Sequence, residues 1–340
     1  MLAAVDRHAD DLVLTVANAL GLSRTAVSTR VRSLIAGGYL AKAGTTRPTY
    51  RHGANRRGIF HYLRKGLAED RVWTRDVAPL MHGLSKNVID IAHHGLTEMV
   101  NNAIDHSEGD NVSVLVDRDE KRLAMLVTDD GIGIFRKITR ALDLPDERLA
   151  LLELSKGKLT TDPRRHSGEG IFFTSRMFDQ FQIASYDLIF DHDEAKGDDL
   201  LYDGDSGTIR SGTTVLMEIA KDSSQTDTSV FEAFSSGPDD HAFAKTIVPV
   251  RLAKVGDDNL VSRSQAKRLL QRVDRFRIVV LDFEGVERIG QAFADEIFRV
   301  FANEHPNVEL VAVHAQSEVQ QMIRRAEVLR DEGGDQLSLL

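Results

Sequence analysis

Three short motifs restrict this 340-residue chain more than any other feature: Glu98-Met-Val-Asn-Asn102, Asp129-Asp-Gly-Ile-Gly133 and His166-Ser-Gly-Glu-Gly170. They follow in that order, and a Gly212-Thr213-Thr214 turn closes the series. Glu98 and Asn102 stand at i, i+4, so a helix sets both on one face, a turn apart. Ile91, Leu96, Met99, Val100 and Ile104 give that helix an apolar side to bury. A carboxylate placed there would orient water toward a terminal phosphate. An amide oxygen beside it would suit Mg²⁺, a hard ion that prefers oxygen ligands. Asp129 ends an apolar strand pattern, where it would accept the exocyclic amine of adenine. Gly131 and Gly133 let the backbone pass close to a base and sugar. Gly168 and Gly170 open a helix and would offer backbone N–H groups to an anion, with Arg164 and Arg165 adding positive charge. Each piece alone also reads as something plainer: a solvated helix face, an Asp-Gly turn, a capping loop. Together they imply one cleft of nucleotide size, with ATP and Mg²⁺ as expected ligands.

Composition narrows the rest. The chain is 42% hydrophobic and 28% charged, ordinary for globular domains, and its length favours two or three of them. Zero cysteines exclude disulfides and thiolate sites. No apolar run is long enough to span a membrane and no signal peptide is evident, so a cytoplasmic location is expected, without membrane association. Net charge is -9 but unevenly spread: residues 1–65 hold eleven Arg and Lys against three acids, +8, which leaves -17 for the remainder. A basic head on an acidic body points to a polyanion partner for the head.

In the head, residues 8–20 and 24–36 read as two helices around a Gly21-Leu22-Ser23 turn, and residues 39–43 and 48–51 as a small hairpin. This order resembles a winged helix-turn-helix domain. That resemblance implies DNA binding, with Arg24, Thr25, Ser28, Thr29 and Arg32 on a groove-reading helix and Arg47 at the wing tip. The alternative is a winged-helix protein-interaction domain. Residues 55–85 are expected to be a helical connector, and the Ser/Thr-rich stretch 221–240 an unpacked boundary. Beyond it, alternating strand and helix patterns predict a small α/β sandwich.

The ordered motifs resemble those of the GHKL superfamily, the ATPase fold of histidine kinases, gyrase B and Hsp-type chaperones. Glu98 and Asn102 match its N box. Asp129, Gly131 and Gly133 match the first glycine box, Gly168 and Gly170 the second, and Thr213 the closing turn. The resemblance implies Glu98 as catalytic residue, Asn102 as metal ligand, and Asp129, Gly131, Gly133, Gly168, Gly170 and Thr213 as nucleotide-binding residues. It also implies a mobile ATP lid over residues 134–167, ordered by nucleotide. His166 departs from the usual glycine. Either the lid is stiffer, or His166 and Ser167 touch phosphate directly. No phosphoacceptor histidine motif precedes the N box; His82, His93 and His94 lack its spacing.

The N box looks most like that of anti-sigma-factor serine kinases, and residues 278–303 resemble a STAS domain. Such domains accept phosphate on a serine at one helix start, where this chain has Gly290-Gln291-Ala292-Phe293. The expected architecture is therefore multidomain α+β: a winged helix-turn-helix (1–65), a GHKL α/β sandwich of the Bergerat type (75–220) and a small STAS-like α/β sandwich (242–330). The expected function is an ATP-binding, ATP-hydrolysing DNA-binding regulator. A protein partner is expected at the STAS-like domain, and a homodimer is plausible. The runner-up is an anti-sigma-type serine/threonine protein kinase acting on a separate STAS protein. A third reading is a docking module whose ATP site no longer hydrolyses.

Overall fold

The computed structural model describes residues 1–159, 168–193, 198–203, 211–237, 240–254 and 259–337. The N-terminal unit holds α1 (Leu12–Leu20), α2 (Arg24–Ala36) and a hairpin of β1 (Leu40–Ala43) with β2 (Thr49–His52). Gly21 stops α1 in the left-handed conformation, φ 62°. Ser23 opens α2 by accepting the Ala26 N–H at 3.2 Å. Val5, Leu12, Val16, Ala17, Val27, Val31 and Leu40 form a core of their own.

The central unit runs through β3 (Arg56–Leu63), α3 (Glu69–Arg71), α4 (Lys86–His106), β4 (Asn111–Arg118), β5 (Arg122–Asp129), α5 (Ile134–Leu142), α6 (Leu149–Lys156) and α7 (Gly170–Met177). It continues through β6 (Gln180–Ser185), β7 (Leu188–Asp193), β8 (Asp198–Asp203), β9 (Thr214–Ala220), α8 (Asp227–Ala233) and the short hairpin β10 (Ser235–Gly237) and β11 (Asp240–Phe243). Seven strands make one antiparallel sheet in the order β3-β4-β5-β9-β6-β7-β8. Period-2 alternation sets Val114 and Val116 of β4 opposite Val127 and Met125 of β5, all buried. The amphipathic α4 packs on this sheet through Ile91, Leu96, Met99 and Val100.

Three expectations are corrected here. Residues 55–85 are not a helical connector throughout, because β3 occupies 56–63 and pairs along its whole length with β4. Its Phe60 and Tyr62 pack on the core, alternating with exposed Arg57, Ile59, His61 and Leu63, a strand period inside the segment assigned to the head. The stretch expected as an unpacked boundary, 221–240, is packed over 226–234. Thr226 and Ser229 form a capping box that starts α8, and Val230 and Phe234 are buried. The hydroxyls that read as loop are caps. Nor does the expected mobile lid, 134–167, stand clear of the core over its described part, since all eight residues of α6 are buried; 160–167 lie outside the described residues.

The C-terminal unit is a three-stranded parallel sheet in the order β12 (Lys245–Pro249), β13 (Ile278–Asp282), β14 (Glu309–Val313). Its helices are α9 (Arg263–Leu270), α10 (Gln291–Asp295), α11 (Ala302–Glu304) and α12 (Ser317–Leu337), with a π turn, Glu296–Phe301, between α10 and α11. Ser262 caps α9 through a second capping box with Gln265. One hydrophobic cluster runs without interruption from Val72 in the central unit to Ala326 in the C-terminal one. The two units therefore share a core that the N-terminal unit does not enter. The latter meets the sheet through polar contacts: Tyr39 Oη donates to Asp117 Oδ1 at 2.8 Å, and Arg118 Nη2 to the Ala54 carbonyl at 3.4 Å.

Candidate nucleotide site

A cavity of about 290 Å³ opens between α4, the ends of β5 and β9, and the start of α7. Glu98, Asn102, Asp129, Gly133, Gly168, Gly170 and Thr213 all line it. Residues up to 115 positions apart in sequence are thereby brought to one space, whose remaining walls are mostly apolar: Met99, Val127, Ile138, Leu154, Ile171, Phe172 and Val215. Such a mix of apolar wall and a few converging polar groups is the usual character of a small-molecule site.

Two polar clusters sit in it. The first is Asp129. Its Oδ1 accepts the N–H of Gly131 at 2.9 Å and of Thr213 at 3.3 Å, which fixes the carboxylate at the strand end. Burial raises its pKa above the ordinary aspartate value, and those two backbone bonds pull the other way. Thr213 Oγ1 in turn accepts the Ile134 N–H at 3.0 Å and so ties the closing turn to the head of α5. Gly131 lies beside the cavity, where a Cβ would fall 2.0 Å from the Ser107 carbonyl oxygen. Only glycine fits there. The neighbouring Asp130 has a structural job: it accepts the N–H groups of Asp110 and Asn111 at 2.8 and 2.9 Å and pins the loop between α4 and β4.

The second cluster is Glu98 with Asn102 on α4. Glu98 has no hydrogen-bond or ion-pair partner among the described residues, and Asn102 Nδ2 reaches only Met99 Sδ at 4.0 Å. Half-buried polar groups left without protein partners are available to a ligand. Gly170 faces them: a Cβ on it would stand 2.0 Å from Glu98 Oε2. Gly168 is held by its carbonyl, which accepts the Leu159 N–H at 3.0 Å. His166 and Ser167, expected at this turn, lie outside the described residues.

Sequence reasoning missed Lys137, His106 and Ser107, which also line the cavity. Lys137 Nζ donates to the His106 carbonyl at 2.7 Å and to Glu108 Oε1 at 3.1 Å. In the chain it is one of many basic residues after the first glycine box, with nothing local to single it out.

The residues expected to face DNA lie together at the N-terminal unit. Arg24, Thr25, Thr29, Arg32 and Arg47 are exposed and Ser28 is half-buried. Arg32 Nη2 donates to Thr29 Oγ1 at 3.2 Å, and none of the three arginines forms an ion pair among the described residues.

Among the described residues, no helix is long and apolar enough to cross a membrane. Comparison with known families finds two matches. Residues 65–188 match the histidine kinase-like ATPase domain, and residues 265–320 match the STAS-like domain of unknown function (DUF4325). No curated protein matches the chain. The first match takes in Glu98, Asn102 and Asp129 but stops before Thr213 and Val215, which the antiparallel return of β9 brings back to the same cavity. The chain thus carries a histidine kinase-like ATPase domain and, C-terminal to it, a STAS-like domain.

Proposed function

We propose that this protein is an ATP-dependent regulator, in which the nucleotide state of the ATPase domain sets how the N-terminal unit engages DNA and the STAS-like domain engages a protein partner. The observation that carries the reading is the convergence of Glu98, Asn102, Asp129 and the glycine turns on one cavity. Asp129 takes the adenine amine, and Glu98 and Asn102 face the phosphates. The donor set there fits Mg²⁺. Asn102 and Glu98 offer hard oxygen atoms without partners among the described residues, and Mg²⁺ characteristically completes its shell with waters and phosphate oxygens. When bound, the ion neutralises phosphate charge; Glu98 positions the attacking water. Calorimetry with Mg-ATP tests this. Asn102→Ala should weaken binding at least tenfold. Glu98→Gln should keep binding within a few-fold while phosphate release stops. Normal binding and turnover in both variants would overturn the assignment.

The N-terminal unit supports the DNA arm of the proposal with its helix–turn–helix–hairpin order, its +8 balance and its unpaired exposed arginines. Arg24→Ala with Arg32→Ala should lower DNA retention in a gel shift and flatten its salt dependence by about one unit of slope per lost phosphate contact. A shift equal to that of the unaltered protein removes DNA from the proposal.

A kinase reading also has an observation behind it. The start of α10, Gly290-Gln291-Ala292, carries no hydroxyl to accept phosphate, so a kinase of this build would act on a separate STAS protein. Transfer of labelled phosphate to such a protein, rather than its release to water, would favour that reading.

A further inference from the structure

One wall of the nucleotide cavity and the seat of the STAS-like domain are the same short stretch of chain. α6 and the residues after it put Leu154 and Leu159 into the cavity. The other side of that stretch is bonded to residues 246–275. Lys156, fully buried, donates from Nζ to Glu153 Oε1 at 2.6 Å and to the carbonyls of Arg268 and Gln271, at the end of α9, at 3.1 and 3.0 Å. Arg272 meets the same carboxylate from the STAS-like side, Nη1 to Glu153 Oε2 at 2.6 Å.

The backbone is held as firmly as the charges. Thr246 Oγ1 of β12 donates to the Lys156 carbonyl at 2.7 Å, and Arg272 Nη2 to those of Gly157 and Lys158 at 3.1 and 2.7 Å. Three successive carbonyls are thereby fixed by two side chains from across the boundary. The next residue, Leu159, lines the cavity and bonds the Gly168 carbonyl of the phosphate-facing turn. Buried charges are tolerated only when fully met, and removing one partner leaves the others exposed to the desolvation cost. Here Glu153 has a cation on each oxygen. Burial draws the Lys156 ammonium down to about 8 against the pull of that carboxylate.

We propose that the STAS-like domain latches the nucleotide cavity. Seated on α6, it holds residues 153–158 so that Leu159 and Gly168 stay closed over bound ATP. A partner that draws the domain off this seat loosens the wall and releases nucleotide. The proposal rests on the ATP reading above and names its control element. Coupling of this kind is reciprocal: ATP must tighten the seat by the same factor as the seat tightens ATP.

Amide hydrogen exchange on the full chain, with and without Mg-ATP, reads the latch without any substitution. ATP is expected to slow exchange across residues 263–276 as well as in the cavity walls. Titration then compares the unaltered protein with Arg272→Met and with Lys267→Ala, an exposed residue of α9 whose salt-bridge partner is Glu296. Arg272→Met should weaken ATP binding about tenfold, within the usual range of coupling between sites, and Lys267→Ala should leave it unchanged. Should Arg272→Met fold poorly, Thr246→Val removes one carbonyl bond at similar shape and should weaken ATP in the same direction. ATP binding at full strength in these latch variants, with protection confined to the cavity walls, overturns the latch and spares the ATP site. An unaltered protein that takes no ATP overturns both.

Discussion

Asp129 shows how a single side chain sets a measurable property of the site. It is buried, held by two backbone N–H groups, and burial raises its pKa. The role proposed for it, accepting an adenine amine, calls for the ionised form. Nucleotide affinity should therefore fall as the pH is lowered through a value above the ordinary aspartate range of about 3.9. Stability should respond with the opposite sign. The folded chain takes up this proton before the unfolded one, so within that window acidification favours the fold as far as this group is concerned. A titration of ATP affinity against pH, set beside Asp129→Asn, checks the point. The substitution presents a donor to a donor, so affinity should drop by roughly tenfold or more and lose its acid limb. Asp129, Glu98 and Asn102 were legible in the chain because their motifs are local. Lys137 was not: it reaches the cavity only because α5 turns back toward the end of α4, a path no local spacing records.

At the scale of elements, periodicity read well where one face of an element is buried and the other is not. α4 is the clear case: Ile91, Leu96, Met99 and Val100 are buried, while Glu98 and Asn102, half-buried, border that stripe at the cavity. α8 is the contrary case. Its seven residues follow a run of Ser, Thr and Asp, which favour loops through side-chain bonds to the backbone. What makes it a helix is tertiary: Phe234 packs edge-on to Phe172, with ring centroids 4.9 Å apart, in a cluster with Phe173 and Phe243. Phe234→Ala should cost about 3–5 kcal/mol, read as a lowered denaturation midpoint. A loss within experimental error would return this stretch to the status of a linker. β3 teaches the same lesson, since its partner strand begins 48 residues after its last residue.

Across the whole molecule the packing divides differently from the sequence. The ATPase and STAS-like domains share one apolar cluster, and the N-terminal unit keeps its own. Calorimetry should accordingly show two transitions: a small one for the N-terminal unit and a large, single one for everything from β3 onward. ATP should raise the larger and DNA the smaller, because a ligand stabilises the unit that binds it. Separate melting of the two C-terminal domains would contradict the shared core. The chain alone determined the motif order, the helix faces, the cap at Ser23 and the asymmetry of charge, because each depends on residues within a turn or two of one another. The tertiary structure alone decided that β3 joins the sheet, that α8 packs, that Lys137 reaches the cavity, and that Glu153 lies between Lys156 and Arg272. Those facts depend on which distant surfaces exclude water together, and burial between elements leaves no periodic trace in the order of residues.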